Sequence, residues 1–221
     1  MPPFHLIDPT RLFMELGYTL IVVLLCFLIY YKTREIYDLT KHEGIKYFRM
    51  TFIFFGFAFF FRFLSIFFML MGVTFDIYLS RQIIRVFPLV FNGYFSTMAI
   101  LSLVYSIIWK QLQIKHIFLI ANGIAIAISG IAFFSRSSYL LTLSQAGLMI
   151  ISLLFAFYVY GKSRKVSQLF ILYILLFVFW LANLFALAPR RLFPFEMQTA
   201  IQIVSIIVIG IIYHKVAKWT K

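Results

Sequence analysis

The chain has 221 residues, of which 63% are hydrophobic, 20% aromatic and only 12% charged, with a mean hydropathy of +0.99. Soluble domains carry about 25% charged residues, so this chain lacks the polar side chains to coat a water-soluble globule, and disorder or a disulfide-rich secreted scaffold is excluded as well. The net charge of +13 would suit nucleic acid, but its confinement to clumps between apolar runs assigns it to membrane topology instead.

Seven apolar runs follow one another, each close to the roughly 17 to 25 residues that span a bilayer as a helix. Helix 1, Leu16 to Tyr31, follows Asp8 and Glu15, where a cleaved signal peptide would have a basic start, so it is expected to stay in place. It contains the single cysteine, Cys26, so no intrachain disulfide is possible. Helix 2, Met50 to Phe75, is dense in phenylalanine and broken once, by Arg62. Helix 3, Val86 to Trp109, follows Arg81 and Arg85 and carries Asn92 and Ser96; these four lie at steps of four, seven and four, on one helical face. Helix 4 covers Ile117 to Ser135 and helix 5 Ser137 to Gly161, the latter with Thr142, Gln145 and Ser152 on one face. Helix 6, Val166 to Pro189, has Asn183 near its end, and helix 7, Met197 to His214, has Gln198, Gln202 and Ser205. The expected fold is all-α, a single seven-helix transmembrane domain over residues 1–221.

Lys and Arg counts orient the bundle. Thirteen of the 20 basic residues follow helices 1, 3, 5 and 7, whereas six lie on the other side: Arg11, Arg81, Arg85, Arg136, Arg190 and Arg191. By the positive-inside rule the amino terminus is outside and the carboxyl terminus inside. Tyr30, Tyr31, Tyr47, Tyr105, Trp109 and Trp219 fall near the same inner interface, where amphipathic rings prefer to sit. The inner basic face is expected to contact anionic lipids, and the cell membrane is the expected location.

Self-similarity adds an architectural expectation. Leu24, Phe27, Tyr30, Lys32 and Arg34 recur as Leu154, Phe157, Tyr160, Lys162 and Arg164, and Arg85-Val86-Phe87-Pro88 recurs as Arg191-Leu192-Phe193-Pro194. The order and membrane side agree, giving parallel repeats of helices 1–3 (about 14–110) and 5–7 (about 138–216) joined by helix 4 (about 116–135). Pro88 and Pro194 are expected at helix starts, where a missing N–H costs little. On these residues the plan resembles the seven-helix group of SWEET-type sugar facilitators, PQ-loop transporters and, more loosely, microbial opsins. The resemblance is one of architecture and implies a solute path or ligand cavity between two triple-helix halves. It does not extend to motifs: the chain has no Pro-Gln pair, and helix 7 offers only Lys215, past His214, where a retinal pigment needs a mid-helix lysine. No cofactor is expected.

Chemistry concentrates on few residues. Arg62 is the one charge inside a membrane run; such a residue faces the bundle or snorkels, and an inward arginine marks a functional site. It suits either a ligand contact or an ion pair with Glu15. Arg62, Arg85, Asn92, Ser96, Gln145, Asn183, Gln198 and Gln202 together suit an outward-facing polar cavity, with Arg81, Arg190 and Arg191 on its rim; taken singly, each suits an interhelical hydrogen bond. None of the seven carboxylates is mid-membrane, and His42, His116 and His214 lack metal-ligand spacing, so neither an enzyme nor a metal site is expected. Three functions stay open: a receptor or sensor for a small polar or anionic ligand, a small-solute facilitator of the resembling plan, and a structural or assembly subunit. The receptor would pass its signal to a separate partner at Lys32 to Arg49. The facilitator needs polar groups in the inner half, where the chain has mainly Thr51, Ser102, Ser106 and Asn122.

Overall fold

The computed structural model describes residues 9–74, 81–111, 116–135, 138–161, 168–186 and 194–219. These form seven helices: α1 (Pro9–Thr40), α2 (Glu43–Thr74), α3 (Arg81–Ile108), α4 (Ile117–Ser135), α5 (Ser138–Gly161), α6 (Gln168–Ala186) and α7 (Phe195–Trp219). All seven are long and apolar enough to cross a membrane, and the described residues contain no strand. The two 19-residue helices, α4 and α6, are about 28 Å long, close to the hydrocarbon thickness.

α1 and α2 have 32 residues each, about 48 Å, and overrun that thickness. The stretch from Lys32 to Arg49, expected as a connection, is therefore a helical hairpin in which only Lys41 and His42 leave the helix. Hydropathy stops where the apolar face stops, whereas the helix continues on local polar support. Lys32–Glu35, Arg34–Asp38, Lys41–Asp38 and Lys46–Glu43 pair three or four residues apart at 3.3 to 3.5 Å. Lys41 closes α1 in the left-handed region (φ 50°), its N–H donating to the Tyr37 carbonyl at 2.7 Å.

Neighbouring helices pack antiparallel around an aromatic core. On α2, Phe48, Phe52, Phe55, Phe59, Arg62, Ile66 and Leu70 recur at steps of three and four and form one buried stripe. Phe48 meets Tyr173 at 5.7 Å between ring centroids, and Phe55 and Phe59 meet Phe179 at 6.2 and 6.0 Å. A second face of α2, with Phe54, Phe57 and Phe61, stacks on Phe91 and Phe95 of α3 and on Phe118 of α4. α7 lies parallel to α1, since Arg11 pairs with Gln198 and Tyr18 with Ser205 in the same register. By contrast, α4 is buried only along Ala125, Ser129 and Ala132, leaving Leu119, Ile126 and Phe134 exposed as a lipid-facing wall.

The two Arg-x-Phe-Pro motifs differ in setting. Pro194 immediately precedes α7, and its carbonyl accepts the Gln198 N–H at 3.2 Å. Pro88 is not at a helix start: α3 begins at Arg81, which puts the proline in the second turn and removes the bond to the carbonyl four residues back.

At the hairpin end, α2 is seated tightly on α3. Ser106 Oγ donates to the Gly44 carbonyl at 2.8 Å and shares a 2.7 Å bond with the Tyr173 hydroxyl. A Cβ on Gly44 would lie 2.7 Å from Trp109 Nε1, so the close approach requires glycine. Gly44→Ala is expected to destabilise by about 1 kcal/mol, read by titrating the purified protein from mild detergent into dodecyl sulfate. His42 stands edge-on to Trp109 at 4.5 Å, its Nδ1 buried and without a hydrogen-bond partner among the described residues. Burial, aided by Lys110, holds its pKa below the ordinary 6.5. The unfolded chain thus binds this proton first, and the hairpin contribution falls as pH drops below about 6.5. The loss of melting temperature from pH 7.5 to 5.5 should shrink in His42→Gln.

Candidate functional site

A cavity of about 560 Å³ lies between α2, α3, α5 and α6, in the half of the bundle away from the hairpin, a size within the range of small-molecule sites. One wall is aromatic: Phe55 and Phe59 from α2, Phe179 and Trp180 from α6. The side built by α3 and α5 is mixed: Asn92 and Ser96 from α3 and Thr142 and Gln145 from α5 stand among Leu89 and Leu141. Arg62 and Asn183 stand where the walls meet, and exposed Tyr139 is at the lip.

The polar groups of the α3 and α5 side are placed by helical spacing. Ser96 Oγ donates to the carbonyl of Asn92, 2.6 Å away. Gln145 Nε2 crosses from α5 to donate to Ser96 Oγ at 2.5 Å, with longer contacts to Thr97 Oγ1 and the Gly93 carbonyl. Gln145 lines the cavity, its Oε1 making no hydrogen bond among the described residues. The Asn92 side-chain amide likewise has no protein partner there.

Arg62 is buried, with its Nη2 2.6 Å from Glu15 Oε1. The inner wall of the site is thus a neutral pair and not a free cation. Beside it, the Tyr18 hydroxyl donates to Asn183 Oδ1 and lies 3.0 Å from Ser205 Oγ, while Asn183 Nδ2 donates to Ser205 Oγ at 3.2 Å and to its own helix at Phe179. This network ties α1, α6 and α7 together behind the cavity. Tyr18→Phe removes two interhelical contacts but leaves Asn183 bonded to Ser205, so a loss of about 1 kcal/mol is expected in the same dodecyl sulfate titration.

Below the cavity, toward the hairpin, Phe48, Phe52, Phe55 and Phe179 close the bundle with Ile100 and Leu103, all at most 3% exposed. On that side Thr51 donates to the Tyr47 carbonyl and Ser106 to the Gly44 carbonyl.

Of the residues expected to converge, Arg62, Asn92, Ser96, Gln145 and Asn183 line this cavity. Gln198 and Gln202 do not. Gln198 is buried against Arg11, which also sits 5.8 Å over the Phe195 ring, and Gln202 is half-buried on α7. α7 packs on α1 and α6, which puts these glutamines behind the cavity wall. Arg81 and Arg85 begin α3, but their side chains, with Arg190 and Arg191, lie outside the described residues. Asn122 accepts from the Tyr94 hydroxyl on the α4 side of α3. Tyr18 and the aromatic wall were not singled out from sequence; Tyr18 follows Glu15 by three positions, a spacing that places both on one face of α1.

No family model matches this chain, and no solved structure matches it. A protein of Archaeoglobus fulgidus described as uncharacterised is 34% identical over 224 residues, which cover 99% of this chain and 95% of that one. Similarity of this degree along the whole length fixes kinship, and the chain belongs to the same family as the Archaeoglobus fulgidus protein.

Proposed function

We propose that this protein is a receptor- or sensor-like membrane protein that holds a small polar ligand in the cavity between α2, α3, α5 and α6. One observation carries the reading: a cavity that holds, on one side, the Asn92 amide and Gln145 Oε1 without a partner among the described residues ends on a close-packed aromatic floor. A binding site needs the first feature and a conduit is blocked by the second. The reading is non-enzymatic. The cavity end faces outward and the hairpin end inward, against anionic lipids, with α1 and α2 beyond Lys32 and before Arg49 presented to a separate partner.

The facilitator reading would need the floor to part in each cycle. Osmotic swelling of sealed proteoliposomes in glycerol, erythritol and urea separates the two. Rates equal to protein-free liposomes are expected, and protein-dependent, saturable flux of any of the three would overturn the receptor assignment.

A further inference from the structure

Resting on the cavity reading above, we infer that the ligand is an uncharged amphiphile: an apolar body, with a carbonyl or hydroxyl group at one edge. Three observations converge. Among the described residues the one cation in the cavity wall is Arg62, and Glu15 already neutralises it at 2.6 Å. A ligand carboxylate or phosphate would have to displace that carboxylate or enter as an uncompensated charge, and burying an unpaired charge is far more costly than burying a hydrogen-bonded neutral group.

The hydrogen-bonding capacity that is left is neutral and two-sided. Gln145 Oε1 accepts, and the Asn92 amide both donates and accepts, with no protein partner for either among the described residues. Amide edges of this kind match a hydroxyl or carbonyl and offer nothing extra to a full charge. Opposite them stands an aromatic wall of Phe55, Phe59, Phe179 and Trp180, a surface with no acceptors or donors aimed at a ligand other than the indole N–H. A sugar or amino acid, polar on all faces, would strand its groups against these rings. A molecule polar along one edge satisfies both walls.

Trp180 in the wall supplies the readout. Full-length protein in nanodiscs is titrated with 11-bromoundecan-1-ol, a neutral quencher, and with 11-bromoundecane-1-sulfonate, its charged counterpart; the Trp180 signal is the difference between wild type and Trp180→Phe. The alcohol is expected to quench Trp180 saturably, and the sulfonate to bind at least about tenfold more weakly. Ala58→Phe, which fills the cavity, and Gln145→Leu, which removes the free acceptor, should each weaken the alcohol. A midpoint that follows the probe-to-lipid ratio marks supply through the bilayer, and one that follows aqueous concentration marks supply from water; either upholds the assignment. Equal or tighter binding of the sulfonate, sensitive to Ala58→Phe, overturns the uncharged ligand while leaving the cavity as a site. Quenching that does not saturate, or that both cavity variants leave unchanged, overturns the cavity reading itself.

Discussion

Glu15→Gln is expected to lower the unfolding free energy of the protein by about 3 kcal/mol, the largest effect of any single polar substitution considered above. What the substitution leaves behind sets the size of the loss. Arg62 Nη2 is 2.6 Å from Glu15 Oε1, and the arginine side chain is only 9% exposed against 29% for the glutamate. Removing the carboxylate strands a cation among Phe59, Ile66 and the rest of the α2 stripe. Removing the arginine leaves an acid that can rehydrate. Arg62→Met alone should therefore cost less than Glu15→Gln, and the double variant should return to within about 1 kcal/mol of wild type, since a buried pair replaced as a unit is often close to neutral. The check is a double-mutant cycle by dodecyl sulfate titration in mixed micelles. Equal losses from Glu15→Gln and Arg62→Met, adding in the double variant, would mean that the two residues are independent.

Phe179→Ala follows, at about 2 kcal/mol. In water a buried phenylalanine truncated to alanine costs about 3 to 5 kcal/mol, part of it transfer and part of it the void. Within a bilayer the transfer part fades, because lipid tails are as apolar as the protein interior, and packing remains. Phe179 is 1% exposed and its ring contacts both Phe55 and Phe59, so its loss opens a void that neighbours cannot fill cheaply. Phe60, 39% exposed on the lipid-facing side of the same α2 run, sets the contrast. Phe60→Ala should change stability by less than about 0.5 kcal/mol, with lipid taking the vacated space. Similar losses for the two would contradict a lipid-embedded α2.

The contrast between these two phenylalanines shows how far the sequence could be read. Hydropathy located all seven helices, because apolar length is set by bilayer thickness and needs no tertiary information. It misplaced the ends of α1 and α2, where the helix runs on through paired charges such as Lys32 and Glu35, and it put Pro88 at a helix start that lies seven residues earlier. Within the site, Arg62 is legible as the one charge inside an apolar run, and Asn92, Ser96 and Gln145 from helical spacing on α3 and α5. Gln198 joins them in sequence only as a polar residue of helix 7, but α7 turns it toward Arg11, and which neighbour a helix faces is decided by packing across the bundle. The aromatic wall was hidden for a different reason. With 29 phenylalanines in the chain, the three that line the cavity, Phe55, Phe59 and Phe179, carry no distinguishing local signal until the i, i+3, i+4 stripe of α2 is matched with α6.

The central claim is that a cavity in one half of the bundle, with its polar groups along one side, is closed from the hairpin end by aromatic packing. Cysteine accessibility tests it most directly, in a Cys26→Ala background that removes the one native thiol. Asn92→Cys places a thiol on that side, and Ser102→Cys, at a site 6% exposed, places one beyond the floor with almost no change in volume. A water-soluble methanethiosulfonate applied to the protein in nanodiscs should modify Asn92→Cys and leave Ser102→Cys unreacted. Modification of Ser102→Cys at a comparable rate, or protection of Asn92→Cys, would contradict the account.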